Sequence, residues 1–185
     1  MIDQLKEWDE QLLLILNGLG HPHLDGVMIF LSAKLVWVPL YLGLIFLLYK
    51  HYGSAFWKPL ILVIVAVALA DQVTSSFMKP FFERLRPCTD SSLVDMLVIP
   101  KGCGGKFGFA SSHAANTFAL AIFYLQLSKT RWFWLLVGWA AMVSYSRVYL
   151  GVHYPGDILV GALVGSILGF ISAKGAAKWL AKSNT

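Results

Sequence analysis

The sequence predicts an all-α fold: an integral membrane helical bundle with about five transmembrane helices and an N-terminal amphipathic helix lying in the interface. Composition is the first reason, because 57% hydrophobic residues, a mean hydropathy of +0.65 and 14% charged residues are unlike a soluble domain. Run length is the second. A helix needs roughly 20 apolar residues to cross the hydrocarbon core. Five runs come near that length, at Leu35–Lys50, Leu60–Lys79, Ser112–Leu127, Trp132–Tyr149 and Ile158–Ala173. Chain length is the third: 185 residues make one compact bundle with short loops and are too few for an appended soluble domain. Residues 1–185 therefore read as a single domain.

From the N-terminus, Ile2–Leu31 does not read as a clean crossing, since Gly18, Gly20, His21, Pro22, His23 and Asp25 interrupt its apolar runs. Leu5, Trp8, Leu12, Ile15 and Leu16 recur at helical spacing with Lys6, Asp9, Glu10 and Asn17 between them, which predicts an interfacial amphipathic helix. A second short helix follows near Val27–Leu31, so residues 1–33 are interfacial. No cleavable signal is expected, because Met1–Glu10 leans acidic and the apolar run Leu12–Leu16 is short. Within the second crossing, Asp71 beside Gln72 is expensive in lipid and is expected to pair with a neighbouring helix. In the last crossing Gly161, Gly165 and Gly169 fall on one face, which predicts close packing without chemistry. The tail after Lys182 is polar.

These crossings sort the charges. One side receives Lys50, Lys58, Lys129, Arg131, Lys174, Lys178 and Lys182 with no acid, and by the positive-inside tendency it is cytoplasmic. The other side holds the N-terminal region and the outer loop 80–110. On that side three clusters meet at helix ends: Lys79–Pro87, Ala110–His113 and Ser146–Asp157. The net charge of +5 is scattered over segment ends rather than gathered into one basic face, so no nucleic acid partner is expected. Cations collected at one membrane level ask for an oxyanion instead.

Lys79 supplies a point charge, and Arg86 and Arg147 offer planar forks that match phosphate oxygens. Ser111 and Ser112 open a helix, whose free N–H groups add uncharged donors. His153, oriented by Asp157 four residues on, would attack phosphorus, and His113 would protonate the leaving oxygen and later activate water. No metal or other cofactor is required, because three fixed cations supply the electrostatic stabilisation. A lone histidine near a membrane surface is usually an interfacial hydrogen-bonding group, and His21, His23 and His51 keep that reading. Glu83 and Arg84 read as solvated loop charges, with tuning of the site as the alternative for either.

The same residues resemble the type-2 phosphatidic acid phosphatase superfamily. Its first signature, Lys, six residues, then Arg-Pro, matches Lys79 through Arg86 and Pro87. Its third, Ser-Arg, five residues, His, three residues, Asp, matches Ser146, Arg147, His153 and Asp157. The second, Pro-Ser-Gly-His, reads here as Ala110, Ser111, Ser112 and His113; a φ > 0 conformation at the Gly position would be disfavoured for Ser112. The resemblance implies a membrane lipid phosphatase in which Lys79, Arg86, Arg147 and Ser111 bind phosphate, His113 is the acid, and His153, held by Asp157, is the nucleophile. Small bacterial members act on undecaprenyl diphosphate, phosphatidylglycerol phosphate or phosphatidic acid, and lipid A phosphates remain open; a polyprenyl diphosphate is slightly favoured. The expected location is the inner (cytoplasmic) membrane, with the site facing the periplasm or cell exterior and a bilayer lipid as substrate. Soluble vanadate-dependent haloperoxidases share this pocket, but the hydrophobic crossings argue against them.

A transporter would run polar residues through the bilayer, whereas here they stop at one surface. A metal-dependent hydrolase would place a cation against Lys79, Arg86 and Arg147. Cys88 and Cys103 lie in the outer loop with fourteen residues between them, and they are either bonded or two unpaired thiols. An oxidising compartment favours the bond, and closing such a loop stabilises by roughly 3 kcal/mol in the chain-entropy model. Glycines at 102, 104, 105 and 108 are consistent with a flexible lid over the headgroup. A thiol count on denatured, unreduced protein separates the two cysteine readings: the disulfide predicts none, and two titrating thiols would end it.

Overall fold

The computed structural model describes residues 2–128 and 130–182, so Lys129 and the polar tail after Lys182 lie outside the described residues. Among these residues the regular structure is helical, apart from an isolated antiparallel bridge between Leu85 and Phe107. Helix α1 (Ile2–Gly18) meets α2 (Pro22–Ser32) at a bend of 116°. The expected second helix is thus longer than Val27–Leu31, because Pro22 starts it at a position where a missing N–H costs nothing and His21 caps it. Helix α3 (Val38–Tyr52) is followed by α4 (Trp57–Asp71), which continues through a π-helical stretch (Gln72–Met78) into α5 (Lys79–Phe82). Helices α6 (Ser112–Ser128), α7 (Trp134–Tyr149) and α8 (Pro155–Lys182) complete the bundle.

The π-helical stretch has two local causes. The Thr74 hydroxyl donates to the carbonyls of Ala70 and Asp71, at 2.7 and 3.3 Å, and competes with the backbone ladder. Pro80 then has no N–H to continue it. The helix stops at Glu83, whose φ of 48° is left-handed and whose N–H returns to the Lys79 carbonyl.

Three continuous helical runs are long and apolar enough to cross a membrane: Leu35–Ala55, Trp57–Phe82 and Pro155–Lys182. The bent α1–α2 pair passes the same test when taken together. Helices α6 and α7, which supply the other two expected crossings, have only 17 and 16 residues. Helix α6 packs against α4, α7 and α8, and its Ala114, Ala115, Ala119 and Ala121 are fully buried.

The α6–α8 contact is made by backbone. A Cβ added at Gly161, Gly165 or Gly169 would collide with the carbonyl oxygen of Ser111, Ala115 or Ala119 respectively. Absent side chains let the two helices lie at this distance, as the spacing predicted. Trp57 of α4 and Trp179 of α8 meet edge to face at 5.1 Å, with the Lys58 ammonium near both rings. The opposite end of the bundle collects the C-terminal end of the α4–α5 run and the first turns of α6 and α8.

Helix α1 turns Leu5, Trp8, Leu12 and Ile15 outward, while Leu13 and Asn17 are buried. The Asn17 carboxamide donates to the carbonyls of Tyr149 (2.7 Å) and Val98 (2.9 Å) and accepts from the Val98 N–H (2.8 Å). One side chain thereby satisfies an orphan carbonyl at the end of α7 and holds the loop beside it.

Gly165→Ala should destabilise the protein by about 3 kcal/mol, because a methyl group there meets backbone that cannot rotate away. The expected drop in Tm, measured on detergent-solubilised protein, is roughly 6–12 °C. An unchanged Tm would show that the two helices can separate at no cost.

Candidate active site

Lys79 opens the last turn of the long α4–α5 run, and its Nζ donates to Ser112 Oγ at 2.8 Å. Ser112 Oγ also lies 2.7 Å from Ser75 Oγ. Ser112 opens α6 without a positive φ, so the conformation that would disfavour serine is absent and its hydroxyl instead joins α6 to the α4–α5 run. Ser75 was not legible as a site residue, since a serine on an apolar run carries no distinguishing pattern.

Arg86 is held by the loop that it enters. Its Nε donates to the Phe107 carbonyl and one terminal nitrogen to the Cys103 carbonyl, both at 3.1 Å, and its own N–H reaches the Lys106 carbonyl at 3.0 Å. Cys88 and Cys103 are disulfide-bonded with their Cα atoms 5.7 Å apart, which fixes one of these acceptors, the Cys103 carbonyl, and closes the loop that leads to the other two. Burial lowers the Arg86 pKa while the Asp157 charge opposes that shift. A guanidinium nevertheless stays charged in proteins.

His153, 1% exposed, lies between α7 and α8, and its Nδ1 is 3.2 Å from Oδ2 of the fully buried Asp157. An ionised Asp157 selects the tautomer with the proton on Nδ1, which leaves the Nε2 lone pair for chemistry. Asp157 Oδ2 also accepts the Tyr154 N–H at 3.1 Å, and the Asp157 carbonyl accepts the Ser111 N–H at 3.0 Å. Gly108 seals this corner: a Cβ there would lie 3.0 Å from Asp157 Oδ2 and 3.5 Å from His153 Nδ1.

Arg84 departs from its reading as a solvated loop charge. Its guanidinium donates to Asp157 Oδ1 at 3.0 Å and to Asp9 Oδ2 at 2.7 Å, and it stacks 3.8 Å from the Tyr154 ring centre. Asp9 in turn accepts the Gly156 N–H at 2.7 Å, at the start of α8. A carboxylate without a partner could not stay buried beside His153, so the nearest cation folds inward. The signal was a second arginine inside the Lys79–Arg86 spacing; Asp9 had none beyond its place among the polar residues of α1.

Ser111 is fully buried, and neither its Oγ nor the buried Nε of Arg147 has a hydrogen-bond partner among the described residues. One terminal nitrogen of Arg147 donates to Ser32 Oγ, which brings the end of α2 to the site. His113 stands in the first turn of α6 beside Ser112, half-buried, and its carbonyl accepts the Thr117 hydroxyl at 2.8 Å. Asp71 pairs with a neighbouring helix as expected, accepting from Asn116 Nδ2 at 2.9 Å.

Burial first, then the charges of Arg86, Arg147 and Lys79, hold the His153 pKa well below the usual histidine value. The imidazole is therefore neutral at pH 7 and able to attack. The electrostatics place three cations around one neutral, oriented histidine, an arrangement suited to taking a phosphoryl group from an ester or anhydride.

Residues 59–180 match the family model described as the PAP2 superfamily. The chain is 42% identical over 178 residues to lipid A 4'-phosphatase of Bacteroides thetaiotaomicron, covering 92% of this chain and 78% of that protein. It is 30% identical over 155 residues to undecaprenyl-diphosphatase of Sulfolobus acidocaldarius, covering 82% and 70%. Among solved structures it is similar to LpxE of Aquifex aeolicus, with a TM-score of 0.66 and 26% identity over 89% of this chain and 93% of that one. It also shares its fold with a PAP2-type phosphatidylglycerolphosphate phosphatase of Bacillus subtilis, with a TM-score of 0.73 at 23% identity over 95% and 87% of the two chains.

Arg84→Ala should lower kcat roughly tenfold or more with a smaller change in KM, because it strips the charge partner from Asp157 and loosens His153 rather than a substrate contact. Steady-state kinetics check this, and a wild-type kcat would make the Arg84 contact incidental.

Proposed function

The chain belongs to the PAP2 superfamily, and on that premise we propose that it is a membrane phosphatase that cleaves a lipid phosphate by way of a phosphohistidine, without a metal. The observation that carries this reading is the buried, neutral His153 with Nδ1 held by Asp157 and three cations around it. Arg86, Arg147 and Lys79 bind the phosphoryl oxygens, with the unpaired Ser111 hydroxyl and the helix-opening Ser112 as further donors. His153 Nε2 forms the N–P bond as the P–O bond to the lipid breaks, and His113 gives its proton to the departing oxygen. Water then attacks the phosphohistidine, His113 takes the water proton, and inorganic phosphate leaves with His153 restored.

The substrate class follows the more extensive similarity. Lipid A 4'-phosphatases are matched at 42% and 36% identity over 92% and 98% of this chain, which favours an acylated glucosamine phosphate. A polyprenyl diphosphate, slightly favoured on sequence grounds, is the second reading and is supported by the undecaprenyl-diphosphatase similarity. In either case the tail stays in the bilayer while the phosphate reaches the site. We place the site on the outer face of the inner membrane, at the end opposite Lys58, Lys174 and Lys178, with α1 lying in the interface on its exposed stripe of Leu5, Trp8, Leu12 and Ile15.

Phosphate release from a lipid A 4'-phosphate, undecaprenyl diphosphate, phosphatidylglycerol phosphate and phosphatidic acid, in detergent with a strong chelator present, tests the assignment. Activity lost to the chelator would overturn the metal-free route. His153→Ala should abolish turnover and the acid-labile phosphoenzyme, and His113→Ala should slow turnover while some phosphoenzyme accumulates. Wild-type turnover with no phosphohistidine under rapid quench would remove the covalent step. Because the His153 pKa is lowered, the acid limb of kcat/KM should fall below about pH 6.5, the ordinary histidine value. A midpoint above it would mean that the free enzyme holds His153 protonated.

A further inference from the structure

An apolar groove of about 520 Å³ runs between α3, α4, α6 and α7, walled by Leu44, Val63, Val67, Leu120 and Trp139 and bordered by Lys34. Its α6 wall continues the active site. His113, Asn116, Thr117, Leu120 and Tyr124 recur at the three- and four-residue spacing of one helix face, so the groove descends from His113. Asn116 and its partner Asp71 line the groove about 4.5 Å of helix rise, one turn, below His113.

Asp71 is out of place in such a groove. One carboxylate oxygen accepts from Asn116 Nδ2 at 2.9 Å, and the residue enters no ion pair among those found in the described residues. Asn116 is committed by the same contact: turning its amide over would set oxygen against oxygen, and its own Oδ1 is buried without a partner among the described residues. The pair therefore presents a carboxylate oxygen with spare lone pairs to an otherwise apolar space, and an ionisable residue at membrane depth is expensive unless it has a task.

We infer that the groove receives the lipid leaving group and that Asp71, aligned by Asn116, accepts a hydrogen bond from a hydroxyl or amide N–H lying within a few atoms of the scissile oxygen. The inference rests on the phosphatase reading, since only there does the group beside His113 become the leaving group. It selects among the substrates of that reading. The leaving groups differ: an acylated glucosamine carries amide N–H and hydroxyl donors close to the scissile oxygen and phosphatidylglycerol carries a hydroxyl, whereas an ionised polyprenyl phosphate and a diacylglycerol carry none. A donor-free tail leaves the carboxylate desolvated and unpaired, and sites built to hydrogen-bond a substrate group discriminate strongly against analogues that lack it.

The test uses the full chain in detergent and the ratio of kcat/KM for a lipid A 4'-phosphate to that for undecaprenyl diphosphate. Both activities come from one preparation, so any loss of folded protein cancels. Asp71→Leu should lower this ratio about tenfold or more, mainly through KM for the glucosamine lipid, and Asp71→Asn, which keeps an acceptor oxygen, should restore part of it. If the wild type cleaves the glucosamine lipid alone, Asp71→Leu should raise its KM about tenfold with kcat less affected, partly recovered in Asp71→Asn. An unmoved ratio or KM would overturn the inference, as would a fall that Asp71→Asn reproduces in full. A wild type that cleaves undecaprenyl diphosphate but not the glucosamine lipid would sink this inference alone, and one that cleaves none of the four lipids would sink the phosphatase reading with it.

Discussion

The contact of α6 with α8, made carbonyl against glycine, is the constraint from which the site follows. His113 stands in the first turn of one helix and Asp157, which holds His153, in the first turn of the other, so the level at which the two backbones meet sets where the two histidines stand. The Ser111 N–H bond to the Asp157 carbonyl, at 3.0 Å, fastens the two N-termini at that level. Without side chains between them there is no layer to compress or rearrange, and the registry of the catalytic groups is as rigid as the helices.

A second constraint is the burial of Asp157. A fully buried carboxylate must be surrounded by donors, and this one draws three from two separate parts of the chain: Arg84 from the loop after α5, and His153 with the Tyr154 N–H from the segment before α8. The inward turn of Arg84 recruits Asp9, and Asp9 caps α8 through Gly156. The N-terminal helix thus belongs to the support of His153 although it lies more than a hundred residues away in sequence. Arg86 is held from the opposite direction, by the carbonyl of the disulfide-bonded Cys103 and that of Phe107 four residues on.

Much of this was legible beforehand. The three clusters on one face follow from alternation of crossings, which needs only run lengths and no side-chain detail. Asp71 was readable as a helix-to-helix contact because its cost in lipid demands a partner, and the glycine stripe because its spacing matches the helical repeat. Arg84, Asp9, Ser75 and Asn17 were not readable, because each owes its position to a partner distant in sequence. A polar residue on an amphipathic helix looks the same whether it meets water or a buried backbone N–H. The start of α2 was placed too late because its apolar residues, not its proline, were used to find it.

Helix α3 stands apart from all of this. It buries only Leu44 and Leu48, contributes no group to the cluster of Lys79, Arg86 and Arg147, and yet forms a wall of the groove beneath His113. Reaction geometry and cavity shape are therefore assigned to different parts of the chain. Substitutions along α3 can widen, narrow or re-line the cavity while the histidines keep their spacing, so descendants of such a scaffold can diverge in the lipids they accept without first losing the chemistry.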